Sequence, residues 1–225
     1  MTEGSLAERW AAVQGAIADA AREAGRDSAD LTTIVVTKFH PASLVRELAA
    51  LGVRDVGENR HQEASAKAAE VEDLDLVWHF VGQLQSKKAK QARAYARVFH
   101  SLDRESVIDA LASPDQVVDG FVQLNLTDDP ARGGVQPDDL HRVAERVIAT
   151  DGIRLLGVMA VAPIGEEPRR AFERVRRASE SLTAIEPGAR YISAGMSGDF
   201  REAILEGATH LRIGSAITGN RQGPG

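Results

Sequence analysis

Cysteine is absent from the 225-residue chain, which excludes disulfides, thiolate zinc sites and thiol nucleophiles alike. Positive charge is in deficit. With 27 Lys and Arg against 33 Asp and Glu, the formal net charge is −6 and the pI is near 5.6. That balance argues against nucleic acid as a partner. No apolar run approaches membrane-spanning length, and Met1-Thr2-Glu3-Gly4 has neither a basic n-region nor an apolar h-region. A cytoplasmic protein with no membrane contact is therefore expected. Paired metal-ligand spacing is missing too: His40, His61, His100, His141 and His210 are scattered, and no metal site is expected. No linker or shift in composition divides the chain, so residues 1–225 are read as one domain. Hydrophobic residues at 43% and charged residues at 27% are ordinary for a soluble globular protein.

What the sequence does contain is an alternation. The apolar spacing Leu6, Trp10, Val13 and Ile17 predicts a first helix over 6–24, with Ser5 and Glu8 as a capping box and Gly25 as its stop. Eight strand-like runs follow: 33–38, 54–57, 76–82, 98–102, 117–126, 153–161, 191–194 and 210–213. The first seven are each followed by a helical pattern, among them 42–51, 87–96, 104–112, 137–150 and 168–185. Strict strand-then-helix alternation implies parallel strands with helical crossovers. Eight units in one chain fit a single (β/α)₈ TIM barrel, with an extra N-terminal helix, better than an open sheet. The tail, residues 220–225, is expected to fray.

In such a barrel the loops at the carboxyl ends of the strands carry the chemistry. Three of those positions hold unusual residues. Ile34, Val35, Val36 and Thr37 form a β-branched run that ends in Lys38. Its ammonium either snorkels to solvent past the strand end or serves a site there. Ser193-Ala194-Gly195-Met196-Ser197-Gly198-Asp199 and Gly214-Ser215-Ala216-Ile217-Thr218-Gly219 follow the last two strands. Glycines that admit an anion to the backbone, serine hydroxyls and following helix starts make a phosphate cradle, or else plain tight turns. Arg212, between Leu211 and Ile213, needs an acceptor for a buried guanidinium, which a ligand's ring nitrogen, an anionic group or a carboxylate could supply. Lysine, cradle and arginine together suit a phosphorylated aldehyde held as a Schiff base, and pyridoxal 5′-phosphate (PLP) fits all three. A class I aldolase barrel would show similar parts. His79, flanked by Trp78 and Phe80, reads as a hydrogen-bonded structural residue. Arg169, Arg170, Arg174, Arg176 and Arg177 alternate with glutamates, as on an exposed helix with ion pairs.

The pieces Val36-Thr37-Lys38, Val56-Gly57-Glu58-Asn59, Trp78-His79-Phe80-Val81-Gly82-Gln83-Leu84-Gln85, Ser193-Ala194-Gly195-Met196-Ser197 and Arg212-Ile213-Gly214-Ser215-Ala216-Ile217-Thr218-Gly219 resemble, in order, those of the pyridoxal-phosphate homeostasis protein family (YggS/PROSC type). The resemblance implies a barrel similar to the N-terminal domain of alanine racemase, with PLP on Lys38 as an internal aldimine. It implies that Arg212 faces the pyridine nitrogen, leaving it unprotonated and weak as an electron sink. Ser197, Gly214 and Ser215 would hold the phosphate, with Met196 and Ser193 as secondary members, and Asn59 would lie beside the ring. The family binds, buffers and delivers PLP, with PLP-dependent apoenzymes as possible recipients, so no catalytic residue is assigned and a monomer is expected. Two departures stand out: Lys87 replaces a frequent asparagine, and Arg132 replaces a frequent lysine, which makes imine chemistry there unexpected. The alternative is a racemase-like PLP enzyme. Alanine racemase draws a second catalytic base, a tyrosine, from a further β-domain, and Tyr95 and Tyr191 are not placed for that job.

Overall fold

The alternation closes on itself. In the computed structural model, which describes residues 4–219, eight parallel strands pair in chain order and the last returns to the first. Helix α1 (Leu6–Glu23) comes first, then β1 (Thr32–Val36), α2 (Ala42–Ala50), β2 (Asp55–Glu58), α3 (His61–Glu70), β3 (Val77–Phe80) and α4 (Ser86–Ala92). The chain goes on through β4 (Val98–Leu102), α5 (Glu105–Leu111), β5 (Val118–Gln123), α6 (Leu140–Ile148), β6 (Ile153–Met159) and α7 (Pro168–Ile185). It finishes with β7 (Tyr191–Ser193), α8 (Phe200–Leu205), β8 (His210–Ile213) and α9 (Ser215–Thr218). The expected eight-stranded barrel with a leading helix is the fold that forms. The frayed tail expected at residues 220–225 lies outside the described residues.

Most differences from the sequence reading are at element ends. Hydrophobic runs outlast the pairing: the run expected over 117–126 is paired only over β5, and Leu124 then makes an isolated bridge with Val135. The helix expected over 137–150 opens with a 3₁₀ turn at Pro137–Asp139, and its α-helical part begins at Leu140. Helix α1 has the capping box, Ser5 against Glu8, and buries Val13, Ile17, Ala20 and Ala21. Partly buried Arg9 donates from Nε to the Ile217 carbonyl of α9 at 2.7 Å.

Period-two alternation divides each strand between two cores. Val35, Val56, Trp78, Phe80, Phe99, Val122 and Leu211 pack outward under the helices. Val98, Phe121 and Met159 form a separate cluster inside the barrel. Barrel interiors are usually layers of branched aliphatics. This one is unusually polar: the His79 and His100 rings lie 5.2 Å apart, His100 and Phe121 4.8 Å, and Phe121 and His210 5.1 Å.

A second polar group is sealed between β1, β2 and α3. Lys67 Nζ donates to the Thr37 carbonyl at 2.9 Å and to the Glu58 carboxylate, which also accepts from Thr37 Oγ1 at 2.7 Å. Glu58 is 0% and Lys67 4% exposed. Burial pushes the Glu58 carboxyl up, against the opposing pull of Lys67. Removing one partner strands a buried charge. Lys67→Met is expected to cost about 3–5 kcal/mol in urea unfolding at pH 7, and Glu58→Gln with Lys67→Met to recover most of it.

The interior histidines also link stability to pH. Burial pushes His210 down to about 4 and His100 well below its ordinary value. The unfolded imidazole takes up its proton near pH 6.5 while the folded one does not. Their contribution is therefore fully present above about pH 6.5 and lost as pH falls toward 4, on the order of 3 kcal/mol for His210. Urea midpoints should drop over that window, and His210→Gln should flatten part of the drop.

Candidate functional site

A cavity of about 560 Å³ opens at the carboxyl ends of the strands. Lys38, Asn59, Met196, Ser197, Arg212, Gly214 and Ser215 all line it, so four loops distant in sequence meet there. A larger hollow, about 930 Å³, lies at the opposite end, where the strands begin at Thr32, Ile153, Tyr191 and His210. Its Asp119 and Arg154 satisfy each other at 2.6 Å, and the chemistry gathers at the smaller cavity.

Lys38 lies two residues beyond the last residue of β1, which corrects its expected place within the strand. Thr37 is fully buried and still bonds its amide to the Gly57 carbonyl at 3.0 Å, so the chain is pinned up to the lysine. Phe39 then turns with φ +67°, the lone positive φ outside glycine among the described residues. For a bulky side chain this left-handed turn is strained. The carboxylate of Glu63 accepts the Phe39 amide and holds the turn. Between these two fixed residues the Lys38 side chain is exposed at the cavity, with Nζ 6.0 Å from the Phe39 ring centroid.

Arg212, on β8, is 5% exposed. Its guanidinium donates to Ser193 Oγ and, at 2.8 Å, to the Ala160 carbonyl. No carboxylate forms an ion pair with it among the described residues, so the acceptors are a hydroxyl and a carbonyl. Burial pushes its pKa down to about 10, with Asp199 as the opposing acidic influence. Ser193 itself is fully buried and does not line the cavity. Its side chain reaches Arg212 and, at 2.8 Å, His100 Nδ1, so it supports the arginine from the barrel interior. Its position on β7 points it inward, whereas the loop beyond carries Met196 and Ser197 to the rim.

The two glycine-serine loops are joined. Ser197 Oγ accepts the Ala216 amide at 3.2 Å, and Asp199 Oδ1 accepts the Met196 amide at 2.6 Å. Gly195 has φ +91°, and a Cβ there would stand 2.9 Å from Phe200 Cα, so no other residue fits this bend. The Ser197 and Gly198 amides have no partner among the described residues, which leaves donors at a loop suited to an anion. Across the cavity the buried Asn59 Oδ1 is also without a partner. Gly82 brings β3 against this residue: a Cβ at position 82 would lie 2.4 Å from the Asn59 carbonyl oxygen.

Several residues escaped the sequence reading. His40 lines the cavity, and burial with the nearby Lys67 lowers its pKa. The Thr37-Glu58-Lys67 cluster that pins the turn was legible only as a lone lysine on an alanine-rich helix, Glu63 four residues before it. Lys87 is exposed on α4 and Arg132 is exposed in the loop after β5, both away from this cavity. Neither tyrosine lines it: Tyr95 stacks on His61 and Tyr191 lies at the opposite end.

The alanine racemase N-terminal domain family model matches residues 15–222. The pyridoxal phosphate homeostasis protein of Pseudomonas aeruginosa is 39% identical, with 96% of each chain covered. That of Mycobacterium leprae is 35% identical over 96% of this chain and 93% of its own. The chain belongs to this family. PipY of Synechococcus elongatus, whose structure was solved with PLP bound, superposes at TM-score 0.82 and 32% identity, covering 96% of this chain and all of PipY. Alanine racemase from Corynebacterium glutamicum shares the fold, at TM-score 0.68 and 16% identity, and this chain covers 62% of it.

A buried guanidinium without an ion-pair partner adds little to folding. Arg212→Met should leave the unfolding free energy of the ligand-free protein within about 1 kcal/mol of the parent, or raise it. A loss well beyond that in urea titration would make Arg212 a structural residue.

Proposed function

We propose that this protein is a PLP-binding homeostasis protein, in which one barrel domain holds PLP and stores, buffers or delivers it to PLP-dependent apoenzymes without turnover. The observation that carries this reading is the position of Arg212. Its buried charge has no carboxylate partner and borders the cavity that also receives a primary amine and two anion-binding loops.

The residues present fit the cofactor. Lys38 supplies the amine that bonds the cofactor's aldehyde carbon, and it projects from a turn fixed on both sides. Ser197, Gly214 and Ser215 supply hydroxyl and backbone donors for the phosphate, with Met196 on the rim. Asn59 would lie beside the ring and offer its unpartnered oxygen. Arg212 can only donate hydrogen bonds and stays protonated, so a ring nitrogen held by it would act as acceptor. When bound, PLP supplies an aldehyde for amines and an electron-withdrawing ring. A nitrogen held as acceptor draws electrons weakly, and neither tyrosine borders the cavity to act as a second base. Both features favour holding over turnover.

The purified protein should take up PLP and gain visible absorbance. Borohydride reduction should fix a pyridoxyl group on Lys38 by peptide mapping, and Lys38→Ala should abolish it. Ser197→Ala with Ser215→Ala should weaken binding about tenfold or more, as expected for two charge-assisted hydrogen bonds. A protein that cannot be loaded with PLP would sink the reading. Steady exchange of amino-acid α-protons with solvent would replace a carrier with a racemase-like enzyme.

A further inference from the structure

The polar residues inside the barrel form one continuous chain. Asp55 Oδ1 lies 2.9 Å from His79 Nε2, His79 Nδ1 lies 3.0 Å from His100 Nε2, and His100 Nδ1 lies 2.8 Å from Ser193 Oγ, which accepts from Arg212. One residue comes from each of β2, β3, β4, β7 and β8. His79, His100 and Ser193 are buried at 3%, 0% and 0% exposure, while the Asp55 side chain keeps 28% at the end where the strands begin. We propose that this is a one-way hydrogen-bond relay, in which the Asp55 carboxylate orients Arg212 and anchors its charge at the cavity.

The direction follows from the two ends. A guanidinium can only donate, and an ionised carboxylate can only accept. Asp55 therefore takes a proton from His79 Nε2, which leaves His79 Nδ1 as an acceptor. His100 Nε2–H fills that acceptor, and Ser193 Oγ–H in turn fills His100 Nδ1. The serine oxygen is then free to accept from Arg212. Every ring is neutral and every group has a partner. Reversing the chain would set a bare His79 nitrogen against the carboxylate. Placing an extra proton on His79 would turn His100 around, and the Ser193 hydroxyl proton would have no further acceptor among the described residues. Burial, with His79, Arg212 and His210 nearby, holds His100 neutral. His210, the third interior histidine, stands outside the relay, with Nδ1 2.9 Å from Thr209 Oγ1.

The arrangement solves a specific problem. A carboxylate beside Arg212 would neutralise it and occupy the donors that face the cavity. A carboxylate at the far end of the barrel, acting through neutral groups, fixes the guanidinium and keeps those donors available. The cofactor arm of this proposal rests on the PLP reading above; the relay itself does not.

Nitrogen-15 NMR of the histidine-labelled, ligand-free protein at neutral pH tests it. The expected result is a neutral Nε2–H tautomer for both His79 and His100. A Nδ1–H tautomer on either ring, or a doubly protonated His79, overturns the relay, whether or not the protein binds PLP. Asp55→Asn removes the anion at nearly constant shape, and Asp55 does not line the cavity. It is expected to let the rings populate Nδ1–H and to shift the absorption maximum of bound PLP. It should also speed PLP release about three- to tenfold, the scale of one charged-for-neutral hydrogen-bond change. Asp119→Asn, which removes a carboxylate at the same end, should leave the spectrum and release unchanged. Parental tautomers, or parental spectrum and release in a loaded Asp55→Asn protein, would overturn the assigned role. If that variant fails to fold, the tautomers of the parent decide alone.

Discussion

A guanidinium sealed in a barrel with no carboxylate beside it must be held by neutral acceptors, and much of this interior is organised to do so. Arg212 rests on a serine hydroxyl and a main-chain carbonyl. Behind the serine stand two histidines, their rings tilted at 48° to each other, in place of the aliphatic layers that usually fill such barrels. An ion pair would hold the arginine more simply. It would also neutralise the charge at the cavity. The polar interior leaves that cation without an ion-pair partner, and its buried histidines make stability weaken in acid.

The other fixed point is the amine. Lys38 is exposed and carries a flexible side chain, so its position comes from its neighbours. Lys67 and Glu58 pin the carbonyl and hydroxyl of Thr37, while Glu63 ties the amide of Phe39. A buried ion pair gives little net stability, yet it sets geometry well because each group has few alternatives once water is gone. Here it sets the exit direction of the chain at the end of β1. Amine and guanidinium are thus positioned by separate networks that meet only across the cavity.

Much of this was legible in the sequence. Strand-helix alternation specified the barrel, since parallel strands need crossovers and eight of them close. The strand-end lysine, the glycine-serine loops and the misplaced arginine pointed to the site because each breaks its local apolar pattern. Ser193 shows the limit of a local pattern: it is contiguous with the loop that lines the cavity, yet one residue of strand decides whether a side chain faces the interior or the rim, and its hydroxyl meets Arg212. Lys67 escaped because a lysine on an alanine-rich helix is ordinary until the fold buries it. His79 was read correctly as hydrogen-bonded, but its partners, Asp55 and His100, lie on neighbouring strands that no local pattern links.

Helix α1 grips α9 through Arg9 and the Ile217 carbonyl, so the earliest described helix and the latest are fastened together beside the glycine-serine loops. Lys38 and Arg212, on opposite sides of the cavity, are 174 residues apart, and only the pairing of β8 with β1 brings them together. During refolding from denaturant the cavity is therefore a product of ring closure, and no smaller piece of the barrel contains it.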